Sequence, residues 1–208
     1  MGLIELPVAI GEVLDNGSGP LPDPDLVNFY KLAEKRIIYL DFDIDIDVMA
    51  IHRQIMLWNM EDKEIEPDQR QPIKLVIYSP GGYMGHMWSI VDLINASKTP
   101  VWTINIGQAS SAAFLIFVSG KQRFMTKNAV CIVHEGSAEM GGDAVKVMDA
   151  ATSYKEDLKR MKQYITEHTG IPMRMLTSKR ANDWTITSDK CLELKACDKL
   201  IDSLDDIL

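Results

Sequence analysis

Short runs of consecutive apolar residues alternate along this chain with longer stretches in which apolar positions recur every three or four residues. The runs Arg36–Leu40 (RIIYL), Ile73–Tyr78 (IKLVIY) and Val101–Ile106 (VWTINI) predict strands, and the nearly continuous apolar character of Ile73–Tyr78 fits a parallel strand covered on both faces. Helical spacing predicts a helix over Asp47–Met60 (Val48, Ile51, Ile55, Trp58) and another carrying Met84, Met87, Trp88, Val91 and Ile94, ended by Thr99-Pro100. Arg123–Val133 predicts a strand pair. Asp143–Thr169, with Val147, Ala151, Tyr154, Leu158, Met161 and Ile165 on one stripe, predicts a long helix stopped by Gly170 as its C-cap. A shorter helix is expected around Pro172–Arg180, then a last one capped by Thr187 before a closing Leu200-Ile201 strand. Strands alternating with helices give an α/β fold with a mainly parallel sheet, from which the long helix is expected to project.

Composition narrows this picture only slightly. The 208 residues carry 46% hydrophobic and 25% charged residues with a net charge of −8, as expected of one soluble globular domain. The acidic balance, with no Lys/Arg cluster, argues against nucleic acid as a partner. Residues 1–24, with Asn16-Gly17-Ser18-Gly19-Pro20 and Pro22, read as an extended or mobile arm ahead of a domain spanning 25–208. No apolar run is long enough to span a bilayer, and the first residues lack a signal-peptide layout, so a cytoplasmic protein is expected, away from membranes. Cys131, Cys191 and Cys197 form no CxxC pair, which speaks against a disulfide framework and against zinc. The acid-rich Asp41–Asp47 (DFDIDID) fails as a calcium loop, because Ile46 and His52 stand where that loop requires glycine and glutamate. Its acids are better read as a strand end followed by a helix N-terminus. Neither a metal nor a cofactor is expected in this chain.

The candidate chemistry sits in Gly107–Gly120 (GQASSAAFLIFVSG). After the VWTINI strand, this stretch predicts a tight turn carrying Ser110 and Ser111 and then a buried helix. Either serine can be a simple N-cap. Either can also be a nucleophile, since the unpaired amides at a helix start can stabilise an oxyanion. Upstream, Ser79-Pro80-Gly81-Gly82 lets the backbone turn sharply and approach a ligand with no Cβ in the way. Downstream, His134 follows a buried strand directly, on the same rim as the two preceding strand-to-helix turns.

Taken together, Ser79-Pro80-Gly81-Gly82, Gly107–Ala113 (GQASSAA), Val130–His134 (VCIVH), His168-Thr169-Gly170 and Asn182-Asp183-Trp184 resemble the ClpP family of self-compartmentalising serine proteases, within the ClpP/crotonase superfamily. The resemblance runs from about Phe29 to the C-terminus. It implies a ClpP/crotonase-like fold of repeated β-β-α and βαβ units. It also implies Ser111 as nucleophile, His134 as general base, Asp183 as the third triad member, and the Gly82 and Ala112 amides as oxyanion hole, with Ser110 the alternative nucleophile in a one-residue register shift. A triad of that kind would cleave unfolded proteins and peptides. The resemblance further implies stacked heptameric rings, joined through a handle made by the Gly136–Gly142 strand region and the long helix, and fed by a Clp-type hexameric ATPase that would be the component using ATP. Alternatives are a non-catalytic peptide-binding ring subunit and a crotonase-like acyl-CoA enzyme. The chain departs from the family pattern at Ala112-Ala113, where Met-Gly is common, a feature closer to some phage-type members. It departs again at Glu135-Gly136, where Gln-Pro is usual.

Overall fold

The computed structural model describes residues 23–178 and 183–207. The expected N-terminal arm therefore lies outside the described residues, apart from its last two positions, and so does Asn182. Those two positions, Asp23 and Pro24, are the N-cap and first residue of a helix (α1, Pro24–Glu34) that the periodicity did not predict. Asp23 Oδ1 accepts from the Asp25 amide at 3.0 Å.

The chain continues through β1 (Ile37–Leu40), α2 (Met49–Glu61), β2 (Ile73–Ser79), α3 (Met84–Ala96), β3 (Val101–Ser110), α4 (Ala112–Val118), β4 (Gln122–Thr126), β5 (Val130–Val133), α5 (Ala144–His168), α6 (Met173–Ser178), β6 (Trp184–Thr187), α7 (Ser188–Glu193) and β7 (Lys199–Ile201). Strand order is β1-β2-β3-β4-β7, with β5 on β3 and β6 on β5. Every pairing is parallel except β5–β6. The α/β fold with a mainly parallel sheet is thus as expected.

β3 is the hub. It pairs with β2 along its length, with β4 through Trp102–Asn105, and with β5 through Gln108–Ser110. This corrects two expectations. First, β4 and β5 are not a pair with each other; each lies against a different half of β3. Second, the strand does not end at Ile106 but runs on through Gly107 to Ser110, because β5 supplies a partner for its second half. Gly107 is therefore a packing residue, since a Cβ there would fall 2.5 Å from the Tyr78 ring. Where β4 gives way to β5, the buried Asn105 donates to Val130 O at 2.9 Å and accepts from the Gly107 amide at 3.0 Å, so the branch leaves no orphaned polar group on its side chain.

All seven residues of α4 are buried, and five of them are Phe114–Val118, each contributing about 1.5–3 kcal/mol on burial. α5 buries Met161 and Ile165 in its C-terminal half, while Val145 and Met148 near its start are exposed. Gly170 follows the observed C-cap, Thr169. A Cβ on Gly170 would come within 2.9 Å of Leu194 O. The segment from His134 to Asp143 contains no strand, unlike the strand region implied for Gly136–Gly142. Away from these elements, Arg36, in the left-handed region at φ 58, places its guanidinium 2.5 and 2.7 Å from the two oxygens of the buried Asp62, which also accepts from Thr99 Oγ1 at 2.8 Å.

Candidate active site

Two turns meet at the carboxyl end of the sheet. The first follows β2. Ser79 Oγ donates to Phe42 O at 2.6 Å and accepts from the Gly81 amide at 3.2 Å, which pins the entry to Pro80-Gly81-Gly82. Gly81 and Gly82 have φ of 102° and 151°, conformations that a Cβ disfavours. Gly82 forms a parallel bridge with Ile44, but both hydrogen bonds are made by its neighbours: the Ile44 amide donates to Gly81 O at 2.7 Å and the Tyr83 amide to Ile44 O at 2.8 Å. The Gly82 N–H consequently points away from Ile44.

The second turn follows β3. Ser111 is the first residue past the strand and the N-cap of α4, with φ 54 and ψ −121, a strained conformation for a residue with a side chain. It is held there from both sides: its amide donates to Ile132 O at 2.7 Å, and its carbonyl accepts from the Phe114 amide at 3.0 Å. A Cβ on Gly81 would lie 2.8 Å from Ser111 Cβ and 3.1 Å from the Ala112 nitrogen, so the glycine turn and the serine turn touch. Among the described residues, neither the Gly82 nor the Ala112 amide donates to a protein acceptor.

The two serines differ. Ser110 is 5% exposed, ends β3, and its Oγ accepts from Gln108 Nε2 at 2.8 Å. Ser111 is half-buried, and among the described residues its hydroxyl bonds to no protein group, His134 included. A strained strand-to-helix turn with a free hydroxyl is the backbone arrangement of a nucleophile elbow.

β5 carries the next component. It runs parallel to β3 with Ser110 opposite Ile132, so Ser111 and His134 leave the sheet at the same end. β5 and β6 are antiparallel, and their last pair is Val133 with Trp184. One step beyond that pair stand His134 and Asp183, with Nδ1 3.3 Å from Oδ1. The imidazole is about one-third exposed and the carboxylate 71% exposed. The structure therefore brings His134 and Asp183 together and places Ser111, Gly82 and Ala112 at the same rim.

Beside His134, a recess between the end of β5–β6 and α5 is walled by Val133, Leu158, Met161, Ile165, Leu176 and Trp184. Its lining also includes Glu135 and Lys162, which form an ion pair. Sequence reasoning noted the acid next to His134 but not its partner. The signal was the spacing of Tyr154, Leu158 and Lys162, four residues apart on one helix face.

A sequence model of the family described as Clp protease matches residues 25–203. The chain belongs to the Clp protease family. Among curated proteins it is similar to ATP-dependent Clp protease proteolytic subunit 2 of Rhodococcus jostii, 28% identical over 176 residues, covering 83% of this chain and 87% of that protein. The subunit 2 protein of Treponema pallidum is 27% identical over 184 residues, covering 87% and 89% of the two chains. That of Corynebacterium diphtheriae is 28% identical over 178 residues, covering 84% and 86%. Clp family membership agrees with the mainly parallel α/β sheet described above. Among the described residues no helix is long and apolar enough to cross a membrane.

Proposed function

We propose that the chain is a serine endopeptidase that hydrolyses unfolded proteins and peptides, with Ser111 as nucleophile, His134 as general base and Asp183 orienting it. The observation that carries this reading is the strained Ser111 turn. It is tied by its amide to the strand that delivers His134, whose Nδ1 faces Asp183.

A serine hydroxyl is a poor nucleophile until a base removes its proton, and the base works only in the correct tautomer. With Nδ1 turned to Asp183, Nε2 is the nitrogen left for the serine. Ser111 Oγ attacks the peptide carbonyl carbon while His134 takes the hydroxyl proton. The carbonyl electron pair moves onto oxygen, to which the uncommitted Gly82 and Ala112 amides donate hydrogen bonds. Collapse of the intermediate expels the amine, which takes the proton from His134 and leaves an ester on Ser111. Water, deprotonated by His134, then hydrolyses the ester. No step calls for a metal or cofactor from this chain.

Assembly into stacked rings fed by an ATP-dependent unfoldase is part of the same proposal. The relatives' names, ATP-dependent and proteolytic subunit, support a link to ATP and an assembly, and exposed apolar side chains on three helices, Phe29 on α1, Met56 and Met60 on α2, and Val145 and Met148 on α5, offer surfaces for it. Labelling with a fluorophosphonate probe tests the chemistry. Wild type and Ser110→Ala should take the label, and Ser111→Ala should not, with peptidase activity falling by about 10⁴-fold or more. Labelling that persists in Ser111→Ala and vanishes in Ser110→Ala moves the nucleophile by one residue. An assembled wild type that takes no label favours the peptide-binding subunit instead.

A further inference from the structure

We propose that Glu135 is a positioning residue for His134, clamped in place by Lys162 and Tyr154 of α5. The proposal rests on the serine-peptidase reading above. The ladder of β5 ends at Val133, and from His134 onward the chain has neither helix nor strand until α5 begins. Nothing in the sheet therefore fixes the peptide that carries the imidazole. Asp183 meets the ring at Nδ1 and not the peptide, and through a carboxylate that is 71% exposed it orients the imidazole without anchoring the backbone that carries it.

Glu135, one peptide bond on, is held at two points. Tyr154 Oη donates to its backbone carbonyl at 2.7 Å, and the Lys162 ammonium pairs with its carboxylate. Tyr154 and Lys162 lie two turns apart on one face of α5, and both grip the same residue. The pair is only 21% and 28% exposed, unlike the surface pairs Lys146 with Asp143 and Lys159 with Glu156, each of whose members is more than 60% exposed. Partial desolvation strengthens such a pair relative to those on the open surface. Burial, and then the charge of Glu135, push the Tyr154 phenol above its ordinary value, so it stays a hydrogen-bond donor. Holding side chain and carbonyl together fixes the orientation of Glu135, and with it the Cα of His134, which lies about 3.8 Å away along the chain.

The alternative is that Lys162 and Glu135 merely close the wall of the recess, in which case they set how substrate fits and not how the base is aimed. The assembled full-length protein separates the two. Fluorophosphonate labelling rate and the kcat and KM for a short peptide are measured for wild type, Lys162→Met, Lys162→Arg and Tyr154→Phe. Misaiming the base should lower kcat and labelling rate in Lys162→Met by roughly ten- to a hundredfold, with KM within about threefold. Lys162→Arg should recover to within about threefold of wild type, and Tyr154→Phe should lose roughly threefold. Wild-type rates in Lys162→Met, a raised KM at unchanged kcat, or an arginine variant as slow as the methionine one each overturn the proposal. Should Lys162→Met not fold, a wild-type rate in Tyr154→Phe overturns it alone. A wild type that takes no label sinks the peptidase reading and this proposal with it, whereas a labelled wild type indifferent to Lys162 sinks only this one.

Discussion

On the serine side of the site, Gly81, Gly82, Ser111 and Ala112 are locked between buried elements: β2, β3, the fully buried α4 and the Ile44 bridge all meet there. On the histidine side, His134 and Asp183 stand one step beyond the end of a four-residue strand pair, and the carboxylate is mostly in solvent. Both halves belong to one sheet, yet the first is determined by close packing and the second by a few polar contacts. The difference teaches where each kind of damage should register. An atom added on the serine side has nowhere to relax and disrupts geometry outright. A substitution on the histidine side weakens an alignment and leaves the framework standing.

The sharpest way to break the comparison is to add a methyl group on the packed side. In Gly82→Ala the new Cβ would fall 2.3 Å from Ile44 O and 2.7 Å from Ile44 N, backbone atoms that are themselves in the bridge. Gly81→Ala would push on Ser110 O at 2.6 Å and on Ser111 Cβ at 2.8 Å. Each variant should lose at least about 100-fold in kcat/KM, since displacements on the order of 1 Å carry that cost. A folded Gly82→Ala with wild-type activity would show that the turn absorbs the methyl group without displacing its amide, so that the serine side is not held by close packing.

Asp183→Asn probes the other side. Removing a buried triad aspartate costs about 10⁴-fold in kcat. Here the carboxylate is 71% exposed, so water competes for the imidazole and the loss should be roughly ten- to a hundredfold. A loss near 10⁴-fold, measured on the assembled protein, would mean that assembly buries Asp183 and makes the two halves alike.

The same contrast explains what could be read from the sequence. The serine side is built from local signals: SPGG, a run of small residues and an apolar helix all announce themselves within a few positions. The buried Ala109, Ala112 and Ala113 are small because α4 and β3 pack closely there. What escaped depended on distant partners. β3 runs past Ile106 because β5 pairs with Gln108–Ser110, a tertiary contact that overrides the poor strand propensity of Gly107 and Gln108. The strand pair expected over Arg123–Val133 is not one, because β4 and β5 take successive halves of β3 as their partner. Lys162 is far from Glu135 in sequence, so its part in the site emerges only once α5 is placed against β5. α1 was different: Asp23 followed by Pro24 is a local helix start that periodicity alone overlooked.

The smallest effect on catalysis is expected far from both halves, at Asp62. Its carboxyl is held below the ordinary carboxylate range, first by the Arg36 hydrogen bonds and with help from Thr99 and Arg70, against the opposing effect of burial. Because the folded value is depressed, the stability this group contributes is present above the unfolded value of about 3.9 and is lost as pH falls through the lower folded one. Asp62→Asn leaves the Arg36 guanidinium, whose side chain is only 19% exposed, without its counter-charge and should cost about 3 kcal/mol near neutral pH. Thermal melts from pH 7 down to pH 3 should show the gap between wild type and variant narrowing below about pH 4. Meanwhile the fluorophosphonate labelling rate of the folded variant should stay within about twofold of wild type, because the network touches neither turn of the site and its influence on Ser111 passes only through global stability. A gap that stays constant down to pH 3 would show that the ion pair does not carry this part of the stability. A labelling rate that falls with the stability lost would instead place the serine side within reach of the sheet edge.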